Sequence, residues 1–255
     1  MDGDRGRGDR LSPAWVEVAD GVRVRTSRRM ATTTTFIEGP GVLVDPAWTA
    51  DELDAIAREV GSVRAGFCTH AHHDHLLWHP DLGDVRRWAT PRTAELAATE
   101  RVGLLEMLGD GYSEEVLGLF GQVTALAGET VPGTDLVAIA HDGHAPGHAA
   151  LFDPASRVLV AGDMLSEVEL PLPFWPDDLL AYLAGLDALA PWVARAAVLV
   201  PGHGTPSYAP LERLDADRSY LDDVLAGRAP DDPRLGNEGM AEMHARLVAL
   251  VRGAE

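Results

Sequence analysis

His70-Ala71-His72-His73-Asp74-His75 is the stretch on which the fold turns. It directly follows Ala65-Gly66-Phe67-Cys68-Thr69, a short apolar run that reads as a strand. Imidazole and carboxylate are the ligand types that zinc and its neighbours prefer. In an extended or turning segment, residues two apart point the same way, so His70 and His72 can converge on one ion. A helix starting near Asp74 would displace Asp74 and His75 towards a second. The plain alternative is a solvated histidine-rich turn with no chemistry attached.

Clusters further along the chain argue against that alternative. Asp142-Gly143-His144-Ala145-Pro146-Gly147-His148 follows one apolar run, Gly162-Asp163 ends another, and Pro201-Gly202-His203-Gly204 ends a third. Each places a ligand-type residue just past an expected strand, where layered α/β domains gather their sites and where glycine permits tight turns.

The runs themselves set the organisation. Val22-Arg23-Val24, Thr34-Thr35-Phe36-Ile37 and Gly41-Val42-Leu43-Val44 read as opening strands. Helices are expected from Thr49 or Asp51 to Val60, from Pro91 behind Thr90, and behind Ser113. Strands are then expected at 136–140, 149–152, 157–161 and 196–200, and helices at 177–189, 211–225 and 239–251. The alternation predicts an α/β layered domain over residues 13–255, behind a disordered tail at 1–12. There is no repeat at solenoid periods.

Taken in order, His70-x-His72-x-Asp74-His75, a Gly-His loop, Gly-Asp and Pro-Gly-His-Gly resemble the metallo-β-lactamase superfamily over residues 41–208; Val42-Leu43-Val44-Asp45 resembles its early strand ending in Asp. The resemblance implies a four-layer αβ/βα sandwich with its site at the strand ends. It implies that His70, His72 and His144 hold a first metal, that Asp74, His75 and His203 hold a second, and that Asp163 bridges them. His148 is the rival of His144, and is assigned to the loop or to support of the ligands. The implied cofactor is two zinc ions per chain, with iron or manganese as substitutes. Such a pair, roughly 3.5–4 Å apart, can share a water and lower its pKa to give a nucleophile without Ser or Cys; Asp74 would orient it and carry a proton.

The implied activity is hydrolysis of a small ester, thioester, lactone or amide, as in the branch similar to glyoxalase II, lactonases and polyketide thioesterases. Ser166 stands where some lactonases place a tyrosine, and residues after His203 lack the basic groups of a glutathione pocket. The alternative is a mononuclear iron sulfur dioxygenase of the same fold. A nuclease ranks below both, because a formal charge of -19 repels phosphate backbones and anionic lipid. The expected partner is therefore a small molecule, with neither nucleic acid nor membrane, and the oligomeric state is open. Trp78, Phe174 and Trp175 are candidate pocket residues, each weighed against a packing role. The single cysteine, Cys68, excludes an internal disulfide and reads as a buried strand residue. The 46% hydrophobic content of the 255 residues suffices for a core, and an N-terminus without an apolar run is expected to belong to a cytoplasmic protein.

Overall fold

A computed structural model describes residues 14–46, 48–173 and 177–253. The expected tail at 1–12 and the pocket candidates Phe174 and Trp175 lie outside the described residues. Two sheets form the centre. In the first, β1 (Val16–Ala19), β2 (Val22–Thr26), β3 (Thr33–Ile37) and β4 (Val42–Val44) run antiparallel. β5 (Ala65–Phe67), β6 (Arg87–Ala89) and β7 (Thr124–Ala125) then continue it parallel to β4. The second sheet has the order β11-β10-β9-β8, with β8 (Val137–Ala140), β9 (Ala149–Asp153) and β10 (Val158–Gly162) antiparallel and β11 (Val198–Pro201) parallel to β10.

Why the central strands read as unbroken apolar runs is visible in which core each residue joins. Val42 and Val44 pack between the sheets while Leu43, between them, faces the helices outside. Val158, Val160, Val198 and Val200 likewise fill the space between the sheets, whereas Leu159, Ala161 and Leu199 meet the helices on the far side. A strand covered on both faces cannot alternate apolar with polar; it alternates between two cores.

Helices α1 (Ala50–Glu59), α2 (Pro91–Thr99), α3 (Arg101–Leu108) and α4 (Glu114–Leu119) lie against the first sheet. α5 (Leu179–Val193), α6 (Pro210–Leu225) and α7 (Met240–Gly253) lie against the second. The result is the expected four-layer α/β sandwich. The Thr90 and Ser113 hydroxyls accept hydrogen bonds from Thr93 N and Val116 N, capping α2 and α4 as the sequence predicts; Thr49 precedes α1 without a side-chain cap bond. No helix among the described residues is long and apolar enough to cross a membrane.

One local expectation is corrected. No helix begins near Asp74: residues 70–76 are bends and turns, with His75 N donating to His72 O. The short α3, β6 and β7 were not foreseen.

Two crossings fix how the sheets meet at the site. Thr33 N donates to Gly202 O at 2.7 Å and the Thr33 hydroxyl to Pro201 O at 2.5 Å, tying β3 of one sheet to the end of β11 in the other. The C-terminal ends of β4 and β5, and of β8, β10 and β11, therefore feed one edge of the sandwich.

Candidate metal centre

Each ligand-type residue of the sequence follows the end of one of those strands. β5 leads into His70, His72, Asp74 and His75, β8 into the loop with His144, β10 into Asp163, and β11 into His203. Ligating atoms of His70, His72, His144 and Asp163 all lie within 4.8 Å of one another, and so do those of Asp74, His75 and His203.

Asp163 joins the groups. Its Oδ2 lies 3.3 Å from His70 Nε2, 3.5 Å from His144 Nε2 and 3.3 Å from His203 Nε2, while Oδ1 lies 3.1 Å from His75 Nε2. Asp74 Oδ2 is 3.2 Å from His203 Nε2 and 3.5 Å from His75 Nε2. His72 Nδ1 faces His144 Nε2 at 3.2 Å.

The surroundings decide which way each imidazole presents its lone pair. Asp45, at the end of β4, accepts hydrogen bonds from Thr69 N (3.0 Å) and the Thr69 hydroxyl (2.6 Å), and lies 3.0 Å from His75 Nδ1. The carboxylate only accepts, so His75 carries its proton on Nδ1 and turns Nε2 inward. Thr69, having given its proton to Asp45, accepts from His70 Nδ1 at 3.0 Å, and His70 also turns Nε2 inward. His203 Nδ1 donates to Met30 O at 2.8 Å, with the same consequence. Carboxylate, hydroxyl and carbonyl partners that fix the outer nitrogen are what metal-ligating histidines require. Asp45 adopts φ 45°, a left-handed conformation that Asp tolerates better than most residues.

The donor set fits divalent cations on a further ground. His70 Nε2, His75 Nε2, His144 Nδ1 and Asp163 Oδ1 are buried without a hydrogen-bond partner. Leaving such groups unpaired costs about 1–3 kcal/mol each, a cost that ligation would remove at His70 Nε2, His75 Nε2 and Asp163 Oδ1, the inward-facing atoms among them.

The electrostatics agree. Burial holds the His70 imidazole well below its usual range and pushes His144 down to about 3, so both are neutral, as ligands must be. Burial acts the same way on His75 and His203, but the facing carboxylates, Asp163 foremost, outweigh it and hold both rings above the ordinary imidazole range. Two buried carboxylates thus draw positive charge to the spot where a cation would sit.

His148 is not in either group. Its Nε2 accepts from Asp163 N at 3.1 Å, its Nδ1 faces His141 Nε2 at 3.2 Å, and its ring stacks on His70 with centroids 5.0 Å apart. It steadies the Asp163 backbone and the His70 ring. Gly162 (φ 59°) is required here, since a Cβ would run into the His148 ring, and at Gly202 a Cβ would run into Asp163 Oδ1.

Other residues separate from the site. Trp78 is buried in the core with Phe36, Leu43 and Ile56, so of its two readings, pocket wall and packing, the structure has the packing one. His73 belongs to neither group: its ring meets Trp48 nearly perpendicularly with centroids 5.0 Å apart, and its Nδ1 lies 3.7 Å from Asp74 Oδ1. His79 caps a 3-10 turn, Pro80–Leu82, and His244 Nδ1 meets the Tyr220 hydroxyl at 2.9 Å. Cys68 is buried, and burial raises its thiol far above the range in which a thiolate forms. The first half of the 170–176 run is packed: Leu170 joins the core under α5 and α6.

Sequence reasoning missed Glu169. Burial, countered by His203 and reinforced by Asp163 and Asp74, pushes its carboxyl up to about 7. Its backbone is pinned, with N donating to the Ser166 hydroxyl (3.1 Å) and O accepting from Arg234 (3.1 Å), while Ser166 donates to His203 O at 2.8 Å.

Comparison with known proteins follows the same lines. The pattern of the metallo-beta-lactamase superfamily matches residues 28–203. A metallo-beta-lactamase family protein from Thermus thermophilus superposes with a TM-score of 0.61 at 22% identity, covering 92% of this chain and 93% of that one. A metallo-beta-lactamase from Pontibacter korlensis gives 0.59 at 18% identity, over 80% and 95% of the two chains. The hydroxyacylglutathione hydrolase of Salmonella paratyphi B is 34% identical over 94 residues, which is 37% of this chain and only 37% of that enzyme's length.

Proposed function

The chain belongs to the metallo-β-lactamase superfamily, and from that premise we propose that it is a hydrolase that holds two divalent metal ions, zinc by preference, and cleaves a small ester, thioester, lactone or amide. The observation that carries this reading is the set of imidazoles whose outer nitrogens are engaged by Asp45, Thr69 and Met30 O while their Nε2 atoms converge on Asp163. His70, His72 and His144 would hold one ion, Asp74, His75 and His203 the other, with Asp163 between them. Bound there, the ions would supply Lewis acidity and lower the pKa of a shared water.

The chain's own residues divide the remaining work. Asp163 and Asp74 carry the negative charge that seats the cations. Asp74 directs Oδ2 to His75 and His203, while Oδ1 lies 3.7 Å from His73 Nδ1; with the ions bound, this carboxylate would orient the attacking water and take its proton. The Glu169 carboxyl, which burial and the nearby Asp163 and Asp74 push up to about 7, would be a second proton acceptor beside these groups. No thiol competes as nucleophile, since Cys68 is buried. The match to a hydroxyacylglutathione hydrolase favours including thioesters among the substrates.

Hydrolysis of an ester, lactone and thioester panel, before and after chelation and after return of zinc, tests the reading. Activity that is abolished by the chelator and restored by the metal is expected. Dioxygen uptake by an iron-loaded chain that hydrolyses none of the panel would contradict it.

A further inference from the structure

A cavity of about 340 Å³ lies between α2 and α3 and is bounded on one side by Ala71 and His72, the latter a member of the first ligand group. Its lining is Ala71, His72, Leu96, Gly103, Leu104 and Met107, with Glu100 the one formally charged contributor. Glu100 is exposed where the two helices meet, so its carboxylate belongs to the solvent side. What remains is an apolar trough with a ligand-type imidazole at its inner end. A volume near the lower limit of small-molecule sites suits one arm of a substrate.

Gly103 gives this trough its shape. It lies inside α3, where glycine costs about 0.5–1 kcal/mol relative to alanine. Neither usual reason for a glycine applies: its φ is not left-handed, and a Cβ there would meet nothing within 4 Å. With no side chain at this position, the space beside α3 stays open. Met107, one helical turn on, is 64% exposed and forms the solvent-facing part of this apolar lining.

We infer that the cavity between α2 and α3 receives the apolar acyl arm of the substrate, running from the carbonyl held near His72 and Asp163 outward past Leu96, Gly103 and Leu104 to Met107. This rests on the hydrolase reading and narrows it: the chain prefers acyl groups with a medium-length apolar tail over acetyl. His72 fixes the polar end, because it is the lining residue that also belongs to the first ligand group.

Two measurements test it independently of each other. With the zinc-loaded protein, kcat/KM is compared for p-nitrophenyl acetate, butyrate, hexanoate and octanoate. The hexanoate-to-acetate ratio is expected to exceed one, and Gly103→Leu, which keeps a good helix former in α3, is expected to lower that ratio about ten-fold. Met107→Gln should lower it in the same direction. Calorimetric binding of octanoate and acetate, to metal-free and to zinc-loaded protein, reads the cavity without catalysis. Octanoate should bind more tightly than acetate, and Gly103→Leu should remove the difference. If no ester is hydrolysed while octanoate still discriminates the variants, the cavity stands and the reaction class falls. Equal binding of the two acids, or a Gly103→Leu effect uniform across the ester series, overturns the inference. So does a change of oligomeric state in Met107→Gln without a change in chain-length preference, which would make this face a contact between copies.

Discussion

Asp45 shows how much of the centre depends on residues that never face the metal positions. One carboxylate accepts from Thr69 N and the Thr69 hydroxyl and fixes the His75 proton on Nδ1, and through Thr69 it also orients His70. Asp45→Asn keeps the shape but offers an NH2 where one acceptor is needed, so His75 loses the partner that sets its tautomer. The expected result is a 10- to 100-fold loss of zinc affinity, measured by chelator competition, with an unchanged far-ultraviolet circular dichroism spectrum. Affinity equal to wild type would show that the His75 orientation does not depend on Asp45. At this scale the residues that gather in the two groups were legible because histidines so closely spaced, next to a strand end, have few packing explanations. Glu169 was not, since it is one of 40 acidic residues and nothing in its neighbours' identity announces that the 164–170 loop is tied through Ser166 to His203. The choice between His144 and His148 was left to the resemblance; here one ring lies among the ligating atoms and the other beneath them.

That loop is held by a buried pair on separate elements. Arg234, in a short 3-10 turn before α7, donates to Ser166 O, Glu169 O and Asp217 of α6, and both charged side chains are buried. R234L leaves the Asp217 carboxylate buried without its cation, a loss of about 3–5 kcal/mol, to be read from urea denaturation at pH 8. Burial already pushes the Asp217 carboxyl up to about 6, against the partial relief of Arg234. A folded-state value above the unfolded one means that this group's contribution to stability is full below about pH 4 and is lost as pH rises through 6. Removing Arg234 raises the folded value further, so R234L should lie closer to wild type at pH 5 than at pH 8. A deficit that does not change with pH would contradict the assignment. Elements of this length were legible where apolar runs or caps marked them: α5, α6 and α7 fall close to the expected spans. The unforeseen β6 and β7 are three and two residues long, too short for a period to register. The expected helix at Asp74 gave way to turns, since the same six residues must send side chains into both ligand groups.

Across the whole molecule, two sheets meet so that five strand ends feed one edge, and every ligand-type residue singled out in the sequence stands just past one of those ends. The layer order followed from the pattern of strands and helices together with the family resemblance; the pairing of β3 with the end of β11 did not, because a contact between residues 33 and 202 leaves no local trace. That closure brings Asp163 between the two groups, and the central claim is that the groups hold two ions per chain. Elemental analysis of the purified, untagged protein tests it most directly, with His144→Ala and His203→Ala beside wild type. Two ions per chain, with one lost from each variant, is the predicted result; a wild-type chain with a single ion that His203→Ala retains in full would contradict it.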